Sequence, residues 1–307
     1  MIPVSRTEVI PFSSFTMQDT EFLRAEAGTP AKIAGVLRVP ATGQGRVPLV
    51  ILLHGSGGPI GYVDAWALRL HRWGWATFLV DSFSGRGIQS VRDQQGELGR
   101  LVGVLDAYQA LETMSTHPLV DPERIVLMGF SRGGQAALYA AMRRFQKRHL
   151  GPQFKFAGHI AFYPNCCFQY LEDEDLAEAP VLIHHGEADD FNPMAASREY
   201  VQRLQAHGHR VDLVAHAGAH HVFDWHGFTR PVHAPEAQSL RACRVMETAP
   251  GQLKFQRSGR PFSYSDPEVA KGTTASYHPK AAASAFDNVA LWLQGFDVGE
   301  SPPGGRS

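Results

Sequence analysis

Leu49 to Leu53 is an unbroken apolar run, entered from Pro48 and closed by His54-Gly55. That pattern predicts a parallel strand buried on both faces, with a proline tolerated at its first residue. Ala76 to Val80, closed by Asp81, predicts a second such strand, and Arg124 to Met128 a third. Between them, Leu98, Leu101, Val102, Leu105 and Tyr108 recur at helical spacing and predict an amphipathic helix to about Ser115. Asp64 to Trp73, Gln135 to Phe145 and Pro193 to Ala206 predict further helices, and Ala157 to Phe162, Val181 to His185 and Val211 to Ala215 further strands. Arg6 to Phe12 and Ala31 to Val39 predict an early antiparallel pair. A last helix carries Pro279 in its first turn, where a missing N–H costs nothing, and buries Phe286, Val289, Ala290 and Leu293.

Strands and helices alternating at this rhythm predict an α/β fold, a mostly parallel central sheet with helices on both faces. One segment breaks the rhythm. Residues 226–278 contain no clear βα unit, only a hairpin expected over Cys243 to Met246 and Leu253 to Arg257, turning at Pro250-Gly251. A stretch that long is not expected to be bare loop. It is read as an insertion before the C-terminal helix, packed on a single domain spanning residues 1–298, with a flexible Pro/Gly/Ser tail over 299–307.

Composition narrows the function classes. The 307 residues carry 29 Lys plus Arg against 30 Asp plus Glu. That balance argues against a general nucleic-acid binder, which needs a basic excess to neutralise phosphates. No apolar run reaches the roughly 18 residues of a membrane span. The first twenty residues hold Glu8 and Asp19 and no apolar block, so no secretory signal is expected. Three cysteines are too few for a disulfide framework. The expectation is a cytoplasmic enzyme.

The chemistry centres on Gly129-Phe130-Ser131-Arg132-Gly133-Gly134, which follows a buried strand and opens an apolar helix. G-x-S-x-G alone is a weak signal, but a serine at a strand-to-helix turn is lifted above the sheet edge as an exposed nucleophile. The alternative is a Gly-rich turn whose serine merely caps the helix or holds a phosphate. A serine nucleophile needs a base, and the base an orienting acid, in the chain order Ser, Asp or Glu, His. After Val181 to His185 comes Gly186-Glu187-Ala188-Asp189-Asp190, where spacing from Gly186 favours Asp189 over Asp190. After Val211 to Ala215 comes His216-Ala217-Gly218-Ala219-His220-His221, where spacing from Gly218 favours His221 over His220. The two backbone donors of an oxyanion hole are expected from Arg132 N–H and from the loop His54-Gly55-Ser56-Gly57-Gly58, with Ser56 first and Gly57 second. That loop lacks the G-K-[ST] ending of a nucleotide-binding loop.

The segments LLHGSGG, MGFSRGGQAALYA, HHGEADDFNP and HAGAHHVFDW resemble the dienelactone hydrolase family of the α/β-hydrolases. The resemblance runs from about Ala31 to Phe223 and includes the last helix. It implies Ser131, Asp189 and His221 as the catalytic positions. The enzymes that name the family carry a cysteine nucleophile where this chain has Ser131, and their carboxylate-binding arginines have no clear counterpart here. The resemblance therefore implies a serine ester hydrolase rather than one named reaction. The same triad could serve a peptidase, an acyltransferase or a C–C hydrolase, and the scaffold could also serve a non-catalytic binding protein.

Other residues are weighed against that reading. Arg86 follows a strand end and is a candidate to bind a substrate carboxylate, the alternative being that it ties down its own loop through Asp81. Trp225, just past the expected base, is a candidate pocket wall. Cys166 and Cys167 are expected to be reduced and packed rather than bonded to Cys243. His184, His185, His216, His220 and His221 show no metal-ligand spacing, so neither metal nor cofactor is expected. The expected partner is a small-molecule ester or lactone, with no nucleic acid and no membrane, and a homodimer is the candidate assembly.

Overall fold

Two apolar layers fix the architecture, one on each side of a central sheet. In chain order the elements of the computed structural model are β1 (Val4–Thr16), α1 (Asp19–Arg24), β2 (Thr29–Pro40), β3 (Val47–Leu53), α2 (Gly61–Arg72), β4 (Ala76–Asp81), α3 (Val102–Ser115) and β5 (Val120–Phe130). There follow α4 (Arg132–Tyr139), α5 (Arg143–His149), β6 (Gly158–Phe162), β7 (Phe168–Gln169), β8 (Val181–Gly186), α6 (Met194–Ala206) and β9 (Val211–His216). The last part holds β10 (Val232–Ser239), β11 (Val245–Ala249), β12 (Gln252–Phe255), β13 (Ala270–Ala275) and α7 (Pro279–Gln294). The structure describes residues 4–41 and 45–296, so the expected tail lies outside the described residues.

The main sheet has eight strands in the order β1-β2-β4-β3-β5-β6-β8-β9. The β1–β2 and β2–β4 pairs are antiparallel and every later pair is parallel. Alternation along each strand sends its side chains to opposite layers. Leu49, Ile51 and Leu53 face the layer holding α3, α4 and α6, whereas Val50 and Leu52 face the layer holding α2 and α7. β3 is buried at all seven positions, which is why its sequence is continuously apolar.

Three elements differ from the sequence pattern. The helix expected over 135–145 is two helices, α4 and α5. Between them the backbone leaves helical bonding: Met142 forms a bridge with Leu176, Ala141 O accepts Ala177 N–H, and Arg143 N–H goes to Asp175 O. The helix expected from Leu98 begins at Val102: Leu98 O and Gly99 O accept from the Arg132 guanidinium, and the chain there makes tighter turns, with Val102 N–H to Gly99 O and Gly103 N–H to Arg100 O, before regular helical bonding starts. In the insertion, the expected hairpin is β11–β12, and β11 also pairs with β7. A second antiparallel pair, β10–β13, has no apolar alternation to announce it.

Candidate active site

The turn between β5 and α4 is built by exclusion. Ser131 sits at φ 54, ψ −112, a strained conformation for a side-chain-bearing residue. A Cβ on Gly129 would lie 2.0 Å from Gly133 O, and one on Gly133 would lie 2.4 Å from Leu53 O. The glycines let α4 start tight against β3 and β5, and this raises Ser131 at the carboxyl end of the sheet.

The loops after β8 and β9 bring their residues to the same point. His221 Nε2 lies 2.9 Å from Ser131 Oγ, and His221 Nδ1 lies 2.7 Å from Asp189 Oδ2. The other carboxylate oxygen of Asp189 accepts the N–H groups of Phe191 and Asn192, both at 2.8 Å. Burial pushes the Asp189 carboxyl up. The charge of His221, its hydrogen bond, His185 and the Asn192 N–H outweigh burial and hold the group below its usual range. An anion so satisfied can orient an imidazole and stabilise its charged form. The two loops are also packed together, since a Cβ on Gly186 would lie 2.2 Å from Ala219 O. Phe191 stacks on the His221 ring at 4.8 Å and Tyr163 lies 4.6 Å away, so the imidazole is sandwiched.

The sequence left Asp190 and His220 as alternatives, and the structure places both outside this contact. Asp190 Oδ1 accepts Thr274 N–H at 2.7 Å and so ties the acid loop to β13. The same strap meets the other loop, where Ser276 N–H donates to His221 O. The insertion therefore grips both loops that carry the site.

Ser56 and Gly57 line the cavity beside Ser131. Neither Ser56 N–H, Gly57 N–H nor Arg132 N–H bonds to another described residue. Ser56 is buried and borders the cavity, where a backbone donor without a protein partner is open to a ligand, and Arg132 N–H directly follows Ser131. Gln95, which sequence reasoning missed, joins the two donor segments: its Nε2 donates to Ser56 Oγ at 3.0 Å and its Oε1 accepts from Arg100 at 2.8 Å and from Arg132 at 3.3 Å. The Arg132 side chain is thus structural, and burial lowers its pKa to about 10.

Two expected substrate contacts are corrected. Arg86 does not reach the cavity. Its guanidinium, 1% exposed, grips Asp106 through two bonds of 2.8 and 2.9 Å and also donates to Ser82 O and Phe15 O. Asp81 serves the loop separately by accepting Phe83 and Ser84 N–H. A buried guanidinium with a bidentate carboxylate has no donor to spare for substrate. Trp225 stands behind the wall rather than in it. It packs on Phe228 at 4.7 Å and Tyr62 at 6.2 Å, and those two rings line the cavity.

The cavity has a volume of about 140 Å³ and mainly apolar walls, including Tyr163, Phe191, Val232 and Ala275. Arg92 is at its edge, paired with Asp93. The three cysteines are buried thiols, unbonded to one another. Among the described residues no group of three or more His, Cys, Asp or Glu side chains could hold a metal ion, and no helix is long and apolar enough to cross a membrane.

Comparison with known proteins bears on the family and the fold. The family model described as "Dienelactone hydrolase family" matches residues 33–296. A Bradyrhizobium protein named "Probable 2-oxo-3-(5-oxofuran-2-ylidene)propanoate lactonase" is 26% identical over 204 residues, 63% of this chain and 81% of the relative. The crystal structure of a dienelactone hydrolase-like promiscuous phosphotriesterase from metagenomic libraries superposes with a TM-score of 0.62 at 15% identity, covering 94% of this chain and 98% of that one. A Klebsiella pneumoniae protein assigned to the dienelactone hydrolases gives 0.58 at 17% identity, covering 94% and 100%. These likenesses in structure carry the fold. With the family model spanning the sheet from β2 to α7 and all three site loops, the chain belongs to the dienelactone hydrolase family.

Proposed function

We propose that this chain hydrolyses a small carboxylic ester or lactone, with Ser131 as nucleophile, His221 as base and Asp189 as the acid that orients it. The observation carrying the reading is the unbroken contact from Ser131 Oγ through His221 to the buried Asp189 carboxylate, at 2.9 and 2.7 Å. His221 Nε2 takes the hydroxyl proton as Ser131 Oγ bonds to the substrate carbonyl carbon. The oxyanion that forms is met by Arg132 N–H and Ser56 N–H, with Gly57 N–H as the second choice in that loop. His221 returns the proton to the leaving alkoxide, and the acyl group stays on Ser131. Water, deprotonated by His221, then cleaves the acyl-enzyme and releases the acid.

The walls bear on the substrate. A cavity of about 140 Å³ with apolar walls suits a short acyl group or a small ring. Family membership and the relative named as a lactonase support ester or lactone cleavage over peptide cleavage. The test is labelling with an ethoxy fluorophosphonate followed by peptide mapping. The adduct is expected on Ser131 and absent from His221→Ala. Labelling elsewhere, or none in the wild-type protein, would sink the assignment.

A further inference from the structure

The proposed mechanism gives no task to the phenol of Tyr62, which lines the cavity. Its oxygen accepts Gly55 N–H at 2.6 Å. A phenol has one O–H to give as well as lone pairs to receive, and the proton of Tyr62 has no acceptor among the described residues. The residue is 5% exposed and lines the same cavity as Ser131. A Cβ on Gly55 would stand 3.2 Å from the Tyr62 hydroxyl and 3.3 Å from Ser131 Cβ, so both border one point.

Nothing about this placement is loose. Tyr62 is the second residue of α2, and its ring packs edge-on to Phe130 at 5.1 Å, one residue before the nucleophile. Trp225 closes the other side at 6.2 Å. With its lone pair engaged by Gly55, the hydroxyl has its hydrogen left to direct into the cavity. A buried hydroxyl whose donor is unsatisfied by protein is costly unless a ligand takes it.

We infer that the Tyr62 hydroxyl is a third oxyanion donor, a catalytic residue that hydrogen-bonds the carbonyl oxygen as it becomes negative. This rests on the serine mechanism proposed above. The proton stays on the phenol throughout, and burial, which raises its pKa above the usual value, keeps it there. The Gly55 N–H polarises the phenol, and a polarised O–H is the stronger donor. Preorganised donors of this kind act mainly on the transition state.

The test compares wild type, Tyr62→Phe and Ser131→Ala on a p-nitrophenyl ester, and measures inhibition by a trifluoromethyl ketone, which adds to the serine and places an oxyanion in the site. Tyr62→Phe is expected to lower kcat about 100-fold with KM nearly unchanged, and to weaken the ketone by a similar factor. Substituting 3-fluorotyrosine at position 62 keeps the packing and makes the phenol more acidic. It is expected to bind the ketone severalfold more tightly than wild type, and if the Phe variant does not fold, an unchanged affinity of this variant alone overturns the role. Ketone affinity and kcat that ignore both substitutions, while Ser131→Ala is inactive, would overturn the Tyr62 role and leave the serine mechanism standing. Full turnover by Ser131→Ala would overturn both.

Discussion

Gln95 donates to Ser56 Oγ at 3.0 Å while its own oxygen accepts from Arg132 at 3.3 Å, so one fully buried amide spans the two segments that carry the proposed oxyanion donors. Arg100 joins at the same oxygen and reaches on to Gln135 and Tyr264. Removing this amide should loosen Ser56 and leave two buried guanidiniums short of an acceptor. Gln95→Ala is expected to cost about 1–3 kcal/mol of stability and to lower kcat more than it raises KM. Unchanged kinetics in a folded variant would show that the link does not set the donors.

The elbow glycines give a contrast within one protein. Gly133→Ala would drive a methyl to 2.4 Å from Leu53 O, a backbone atom that cannot move aside cheaply. A methyl on Gly57 would meet nothing within 4 Å, and the φ of that residue is not in the left-handed range. Gly133→Ala is expected to lose several degrees of melting temperature or fail to fold, whereas Gly57→Ala should melt as wild type does. Equal melting temperatures would contradict the steric account.

Adjacent aspartates divide the work of one loop. Asp189 holds His221, while Asp190 holds Thr274 N–H of the insertion. Asp189→Asn is expected to reduce kcat by about 10³–10⁴-fold, the size of loss typical when an imidazole is held in the wrong tautomer. Asp190→Asn keeps an acceptor oxygen for Thr274 and should lose less than tenfold. Steady-state rates with the same ester would reverse the assignment if Asp190→Asn were the more damaged.

Acid should weaken the fold before it titrates most carboxylates. Burial drives His159 down to about 4 and His184 to about 3, and neither is exposed. Unfolding returns each to about 6.5, so between those values the unfolded chain binds more protons than the native one. The stability from these neutral histidines is fully present above about pH 6.5 and is lost as pH falls towards 4 and below. Thermal melting at pH 5 is expected several degrees below that at pH 7. A midpoint that holds or rises on acidification would contradict this.

What could be read from sequence follows from where the signal is local. β3, β4 and β5 are buried on both faces, so their composition alone marks them, and the glycines at 129 and 133 answer to contacts made within one strand-turn-helix unit. The loops carrying Asp189 and His221 follow β8 and β9 and are findable by their order along the chain. Long-range partners are not. Arg86 meets Asp106 twenty residues away, a choice no local pattern records, and so its expected place in the cavity was wrong. β10 and β13 are mostly half-exposed strands held by pairing with each other and by Asp190, so apolar periodicity never flagged them. Gln95 lies on a connecting segment and Tyr62 in the first turn of α2, and both matter through hydrogen bonds to distant or loop residues that no local pattern records.

The most direct measurement is turnover of p-nitrophenyl esters of increasing acyl length by wild type and by Ser131→Ala. The proposed function predicts wild-type turnover that is best with short acyl groups, as a cavity of about 140 Å³ requires. It also predicts loss of that turnover in Ser131→Ala, with an unchanged melting temperature. Ester cleavage at the wild-type rate by the folded Ser131→Ala protein would contradict it.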